Sequence, residues 1–186
     1  MTNPQVSESL LEDAALAWFE SIGYAVVPGP DLLPNSPGGE RRRLDEGFLP
    51  GRLRSALERL NPDLPPDAIE EAFRKVTVPD SPGLIAGNHS FHRLLTDGIA
   101  VATRNGEGED AYARARLFDF DDPGSNEWLV ANQFSMVEGR HHRRADVVVF
   151  ANGLPLGVLE LKNPGSAAAS AESAYRQLRT YQHEIP

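Results

Sequence analysis

The run from Asp146 to Lys162, DVVVFANGLPLGVLELK, constrains the fold more than any other part of the chain. Two apolar stretches lie either side of Asn152-Gly153, a dipeptide suited to hairpins, so the run reads as adjacent antiparallel strands. Asp146 begins one strand, and Glu160 and Lys162 end the other. Ionised groups at the edge of an apolar sheet are costly to desolvate unless they are paired, solvated or bound to a metal.

Side chains alternate along a strand, so Glu160 and Lys162 share a face while Leu159 and Leu161 point to the other. The face taken by Asp146 depends on the turn. A two-residue Asn152-Gly153 turn pairs Phe150 with Pro155 and Asp146 with Leu159, which separates the acids. A three-residue loop, Ala151-Asn152-Gly153, pairs Phe150 with Leu154 and Asp146 with Val158, making Asp146 and Glu160 diagonal neighbours on one face. The three-residue loop is the expected one.

Two convergent carboxylates suit Mg²⁺, which takes hard oxygen ligands and is usually held by one or two carboxylates plus substrate phosphate. The Leu161 carbonyl could add a ligand. Lys162 could position a nucleophile and stabilise charge on phosphoryl oxygens. The reaction class is phosphodiester hydrolysis. Against this stands a plain surface ion pair with one spare charge, worth little to stability.

Elsewhere helical and extended periods alternate. Leu11, Ala14, Ala15, Trp18 and Ile22 recur at helical spacing over Ser9–Ile22, and Gly23 follows as a stop. Tyr24–Val27 is a short β-like run before the Pro- and Gly-rich stretch 28–39. Leu53–Leu60 and Ala68–Lys75 read as two short helices and suggest a small helical insertion at about residues 40–80. Ser90–Asp97 reads as one helical turn or two, and Gly98–Thr103 as β-like. Strands are expected over Ala113–Phe120, Trp128–Val137, Ala145–Phe150 and Leu156–Leu161, then a helix over Ala167–His183. This order favours an α/β fold with a mixed sheet flanked by helices, and 186 residues fit a single domain.

The chain has no cysteine, which excludes disulfides and thiolate zinc. The N-terminus lacks a signal-peptide pattern and no apolar run could span a bilayer, so a cytoplasmic protein is expected. A net charge of −9 opposes a DNA-coating role, because such binding neutralises phosphates with Lys and Arg. The acids, however, cluster at 107–110 and 119–122, whereas Arg140, Arg143 and Arg144 crowd beside the charged hairpin end. His141 and His142 are adjacent and would point apart on a strand, which disfavours a metal role. No Walker-type loop is present.

Asp146 followed by Glu160-Leu161-Lys162 resembles the PD-(D/E)XK nuclease signature, with Ala145 where proline often stands. The setting narrows the resemblance. NEWLVANQF at 126–134, followed by DVVVFANGLPL, is similar to the N-terminal domain of the R subunit of type I restriction–modification enzymes. The similarity covers most of Phe91–Tyr181, and the opening from Ser7 to Tyr24 shares it. It implies a restriction-endonuclease-like fold and Mg²⁺-dependent DNA cleavage, with Asp146, Glu160 and Lys162 catalytic. Asp146, Glu160 and the Leu161 carbonyl would hold the metal.

The resemblance also places Glu12 where related nucleases often carry a carboxylate facing the metal, although Ser9-Leu-Leu-Glu12 fits a capping box equally well. Gln177 and Tyr181 match the family's Gln-x-x-x-Tyr motif at helical i, i+4 spacing. Its implied role is to hold DNA or orient the site; a surface amide and a packing residue are the plain alternative. Arg143 and Arg144 are candidate phosphate contacts or merely turn-flanking charges.

The implied partners are double-stranded DNA and the methyltransferase (M) and specificity (S) subunits. ATP would be used only by a helicase-like motor outside these 186 residues. Two rivals are a catalytically silent docking module of the same fold, which the acids and lysine disfavour, and a stand-alone repair-type nuclease, which a gene without a motor would favour.

Overall fold

The structure, a computed structural model, describes residues 7–78, 83–104, 106, 108–163 and 170–185. Its elements in chain order are α1 (Glu8–Ser21), β1 (Ala25–Pro28), α2 (Pro50–Leu60), α3 (Pro66–Thr77), α4 (Leu84–Asp97), β2 (Ile99–Arg104), β3 (Asp110–Ala115), β4 (Trp128–Glu138), β5 (His141–Ala151), β6 (Leu154–Leu159) and α5 (Ala171–Glu184). They fall into two compact units. One comprises the residues up to Leu49 and those from Trp128 onward; the other is Pro50–Glu127.

In the first unit four strands are ordered β1-β4-β5-β6. β1 runs parallel to β4, and the other neighbours are antiparallel, giving the mixed sheet expected from the element order. Strand alternation sorts its apolar residues to two sides. Leu129, Ala131, Val148 and Phe150 join Leu32, Leu49 and Tyr181 in one core, while Val130 and Val147 pack with Phe19 of α1 in another. Helices therefore flank the sheet. Full burial of each large side chain contributes about 1.5–3 kcal/mol.

α1 begins on Ser7, whose hydroxyl accepts the Leu10 N–H at 3.1 Å, and ends before Gly23 at φ +98°. The N-cap is thus Ser7 and not Ser9, so the capping-box reading of Glu12 fails. An aromatic series runs off this helix: Trp18 to Phe19, Phe19 to Tyr24 and Tyr24 to Trp128, with centroids 5.0, 5.1 and 5.3 Å apart. A short 3-10 turn follows β1 at Gly29–Leu32. A Cβ on Gly29 would lie 2.3 Å from the Asn132 carbonyl oxygen, so glycine alone lets this turn lie against β4.

In the second unit α3 packs against α2 and β2, and β2 pairs antiparallel with β3. Its core includes Leu53, Leu57, Ile69, Ile99 and Val101. This unit runs well beyond the helical stretch expected near residues 40–80. Two elements within it also differ from expectation. α4 is fourteen residues long, not a turn or two, because helical geometry continues through Gly87. β3 stops at Ala115 because Asn61 takes the main chain of Arg116: its amide donates to the carbonyl at 2.9 Å and its oxygen accepts the N–H at 2.7 Å.

The expected start of the last helix at Ala167 lies outside the described residues. α5 is seen from Ala171, capped by Ser170, which forms a reciprocal capping box with Ser173. Among the described residues no helix is long and apolar enough to cross a membrane.

Candidate active site

The β5–β6 hairpin corrects the expected turn. Ala151 pairs with Leu154, so the loop is the two-residue Asn152-Gly153, with φ of 52° and 79°. Positive φ at both positions is the type I′ signature, whose twist matches that of the flanking strands. Phe150 pairs with Pro155, but Val149 pairs with Gly157, so a β-bulge has absorbed Leu156. Pro155 has no N–H to give the ladder, and such residues are confined to edges and bulges. Below the bulge Val147 pairs with Leu159, and continuing that count sets Asp146 opposite Glu160. The tight turn would have separated the acids; the extra residue brings them back into register.

On the other side of β5, pairing passes from Asn132 with Val147 to Phe134 with Ala145, skipping Gln133 and Asp146. Gln133 there has φ +50°, a left-handed conformation rare for a residue with a side chain. Asn132 donates its amide to Glu12 Oε1 at 2.7 Å, and the Gln133 amide donates to Glu12 Oε2. Glu12 of α1 is therefore held by two β4 side-chain amides, in a concavity of about 310 Å³ that Asp146, Leu161, Arg144 and Glu8 also line. The Leu161 N–H donates to Asp146 Oδ2 at 2.7 Å.

Glu160, Lys162, Gln177 and Tyr181 form a closed ring. Lys162 Nζ donates to Glu160 Oε1 at 2.7 Å and to Gln177 Oε1 at 2.8 Å. Gln177 Nε2 donates to the Tyr181 hydroxyl at 2.8 Å. That hydroxyl has one hydrogen for two acceptors, Glu160 Oε2 at 3.2 Å and the Arg144 carbonyl at 3.0 Å. The Glu160 side chain is only 2% exposed. Burial raises its pKa above the ordinary value, Lys162 opposes this, and the nearby Asp146 charge adds to the rise. Lys162 is itself held protonated more firmly, chiefly by its hydrogen bond to Glu160. Burial, above all, raises the Tyr181 phenol.

Glu160, Lys162, Gln177 and Tyr181 thus meet in the ring, while Asp146 lines the concavity with Leu161, Glu12 and Arg144 and lies near enough for its charge to act on Glu160. Arg143 does not join them; its guanidinium pairs with Glu184 at the end of α5. Two further residues escaped sequence reasoning. Glu8 lies one turn before Glu12 on α1, and its Oε1 accepts the Asn163 N–H at 3.4 Å. The i, i+4 pair of acids was the available signal. For Gln133 the signal was an Asn-Gln pair inside an otherwise apolar strand. A larger concavity of about 690 Å³, lined by Leu33, Leu44, Met136, His142 and Arg143 among others, shares Arg144 with the first but contains none of the ring residues.

Asp146, Glu160 and the Leu161 carbonyl offer hard oxygen donors of the kind Mg²⁺ takes. Two acids brought into register, one of them buried with a raised pKa, form a site that a divalent cation would relieve. Among the described residues no group of three or more His, Cys, Asp or Glu side chains is arranged to hold a metal ion.

Residues 5–186 match the family described as Type I restriction enzyme R protein N terminus. The chain is 34% identical over 182 residues to the type I restriction enzyme HindI endonuclease subunit of Haemophilus influenzae, covering 97% of this chain and 17% of that protein. It is 31% identical over 181 residues to the putative type I restriction enzyme MjaIXP endonuclease subunit of Methanocaldococcus jannaschii, covering 95% of this chain and 17% of that protein. The chain thus spans about a sixth of the length of the curated relatives it matches. With nearly its whole length matched, the chain belongs to the family of type I restriction enzyme R subunit N-terminal domains.

Proposed function

We propose that this domain is the Mg²⁺-dependent DNA endonuclease of a type I restriction enzyme, with a PD-(D/E)XK fold and Asp146, Glu160 and Lys162 as its catalytic core. The observation that carries the reading is the closed ring of Glu160, Lys162, Gln177 and Tyr181, with Asp146 bound to the Leu161 N–H between its two charged members. An ordinary surface ion pair needs neither a 2% exposed glutamate nor two further side chains to hold it.

Asp146, Glu160 and the Leu161 carbonyl would hold Mg²⁺, with Glu12 beside them. When bound, the ion supplies Lewis-acid polarisation of the scissile phosphate and a water of lowered pKa. The chain's own residues do the rest. Glu160 and Gln177 fix the Lys162 ammonium, which is charged throughout the physiological range and can stabilise negative charge developing on phosphoryl oxygens. Tyr181 holds the second Glu160 oxygen and keeps its carboxylate plane fixed. Arg144, exposed at the rim of the concavity, would draw phosphate toward Asp146.

Cleavage would take place on double-stranded DNA in a complex with methyltransferase and specificity subunits in the cytoplasm. A helicase-like motor elsewhere in the subunit would use ATP and deliver DNA. That division of labour accommodates the −9 charge, since a domain fed by a motor need not bind DNA tightly. The test is cleavage by the complete R subunit with its partners, Mg²⁺ and ATP. Asp146→Ala, Glu160→Ala and Lys162→Ala should each lower cleavage by about 10²–10³-fold or more with ATPase retained. Undiminished cleavage by all three variants would sink the reading.

A further inference from the structure

We infer that Arg143 is a positioning residue: it clamps the C-terminal end of α5 through Glu184 and so seats Gln177 and Tyr181 in the ring. The inference rests on the nuclease reading above. Gln177, Tyr181 and Glu184 are spaced i, i+4, i+7 and share one helix face. That face meets β5 at two consecutive residues. The Arg144 carbonyl takes the Tyr181 hydroxyl, and the Arg143 guanidinium pairs with Glu184.

Three observations favour a clamp over a phosphate contact. First, Glu184 is the last residue of α5, where a carboxylate opposes the helix dipole, so the helix itself gives no reason for an acid there. A cation from outside the helix supplies one. Second, the pair is largely shielded, with 18% of the Glu184 side chain and 33% of the Arg143 side chain exposed. His141 Nδ1 lies 3.6 Å from the same carboxylate, so two β5 side chains converge on it. Third, Arg143 Nη1 donates to the His142 carbonyl at 3.0 Å and Nη2 faces Glu184, while its Nε is buried without a hydrogen-bond partner among the described residues. A guanidinium so engaged is poorly placed to take up a DNA phosphate.

The experiment compares Arg143→Ala, Glu184→Ala and the exchanged pair Arg143→Glu/Glu184→Arg in the complete R subunit assembled with its partner subunits. Each single variant should lower kcat for cleavage by about 10-fold with the DNA concentration for half-maximal rate unchanged, because a displaced ring costs rate rather than binding. The exchanged pair should recover to within about 3-fold of wild type, a rescue that restored charge complementarity explains and a phosphate contact cannot. Amide exchange over 171–184 should rise in the single variants and fall back in the exchanged pair. Weaker DNA binding by both Arg143→Ala and the exchanged pair, with no rescue, would overturn the inference in favour of a DNA contact. Unchanged cleavage and exchange in the single variants would overturn it as well. Asp146→Ala, run alongside, separates the two questions: cleavage by that variant defeats the nuclease reading, while the exchange data still judge the clamp.

Discussion

The kink in β4 and the bulge in β6 both interrupt the pairing of β5, the first at Asp146 and the second at Val149–Phe150, and they do so by different means. At the kink the count of residues is kept: Asn132 with Val147 and Phe134 with Ala145 belong to one register, and Gln133 merely turns aside. At the bulge the count changes, because β6 spends one residue more than β5. A kink re-aims side chains locally, here two amides onto Glu12. A bulge alters which face every later residue occupies. The site uses both: Glu12 is held by the first, and the second absorbs Leu156 so that the count runs on from Val147 and Leu159 to Asp146 and Glu160.

The largest test of this difference acts on the count. Inserting an alanine between Val158 and Leu159 should set Asp146 opposite Leu159 and lower cleavage by about 10²-fold or more, as a one-residue slip exchanges the two faces. Deleting Leu156 should do far less. It removes a residue that is 42% exposed and leaves a regular hairpin with Asp146 still opposite Glu160. Cleavage assays on folded protein check both, and equal loss in the two variants would break the distinction.

The next test acts on the kink. Gly29→Ala drives a methyl group into the Asn132 and Gln133 carbonyls and should destabilise the first unit by about 1–3 kcal/mol in denaturant titration. A neutral result would mean that the turn at Gly29 does not brace the kink.

The smallest effect is a gain. Glu160 has its folded-state pKa raised, first by burial. A raised carboxyl contributes stability that is fully present below its ordinary pKa and is lost as pH rises through the folded value. Near neutral pH its ionised form is therefore a net cost to the fold. Glu160→Gln should show a higher Tm than wild type near neutral pH, and the difference should shrink as pH falls through roughly pH 4. A lower Tm at every pH would show that the bond to Lys162 outweighs the burial.

These tests also mark how far the sequence could be read. β5 was legible because a buried strand must be continuously apolar, and Asp146 stands out at the edge of Val147–Phe150. Glu160 and Lys162 were legible as charges ending the next run, and Gln177 with Tyr181 by their helical spacing. The turn was misjudged because register was counted without irregularities. Pro155 and Gly157, within four residues of the Asn152-Gly153 turn, were the signs of a bulge that parity counting ignored. Arg143 looked like its neighbour Arg144 because sequence shows charge but not the partner that satisfies it. Only the packing of α5 against β5 reveals Glu184.

The aromatic series on the α1 side has a practical corollary. The chain has two tryptophans, and Trp18 and Trp128 both stand in that series, linked through Phe19 and Tyr24. Indole emission is consequently a private signal of the unit with the four-stranded sheet, since the stretch Pro50–Glu127 carries no indole at all. Fluorescence followed beside circular dichroism would therefore reveal whether the two halves melt together or in turn.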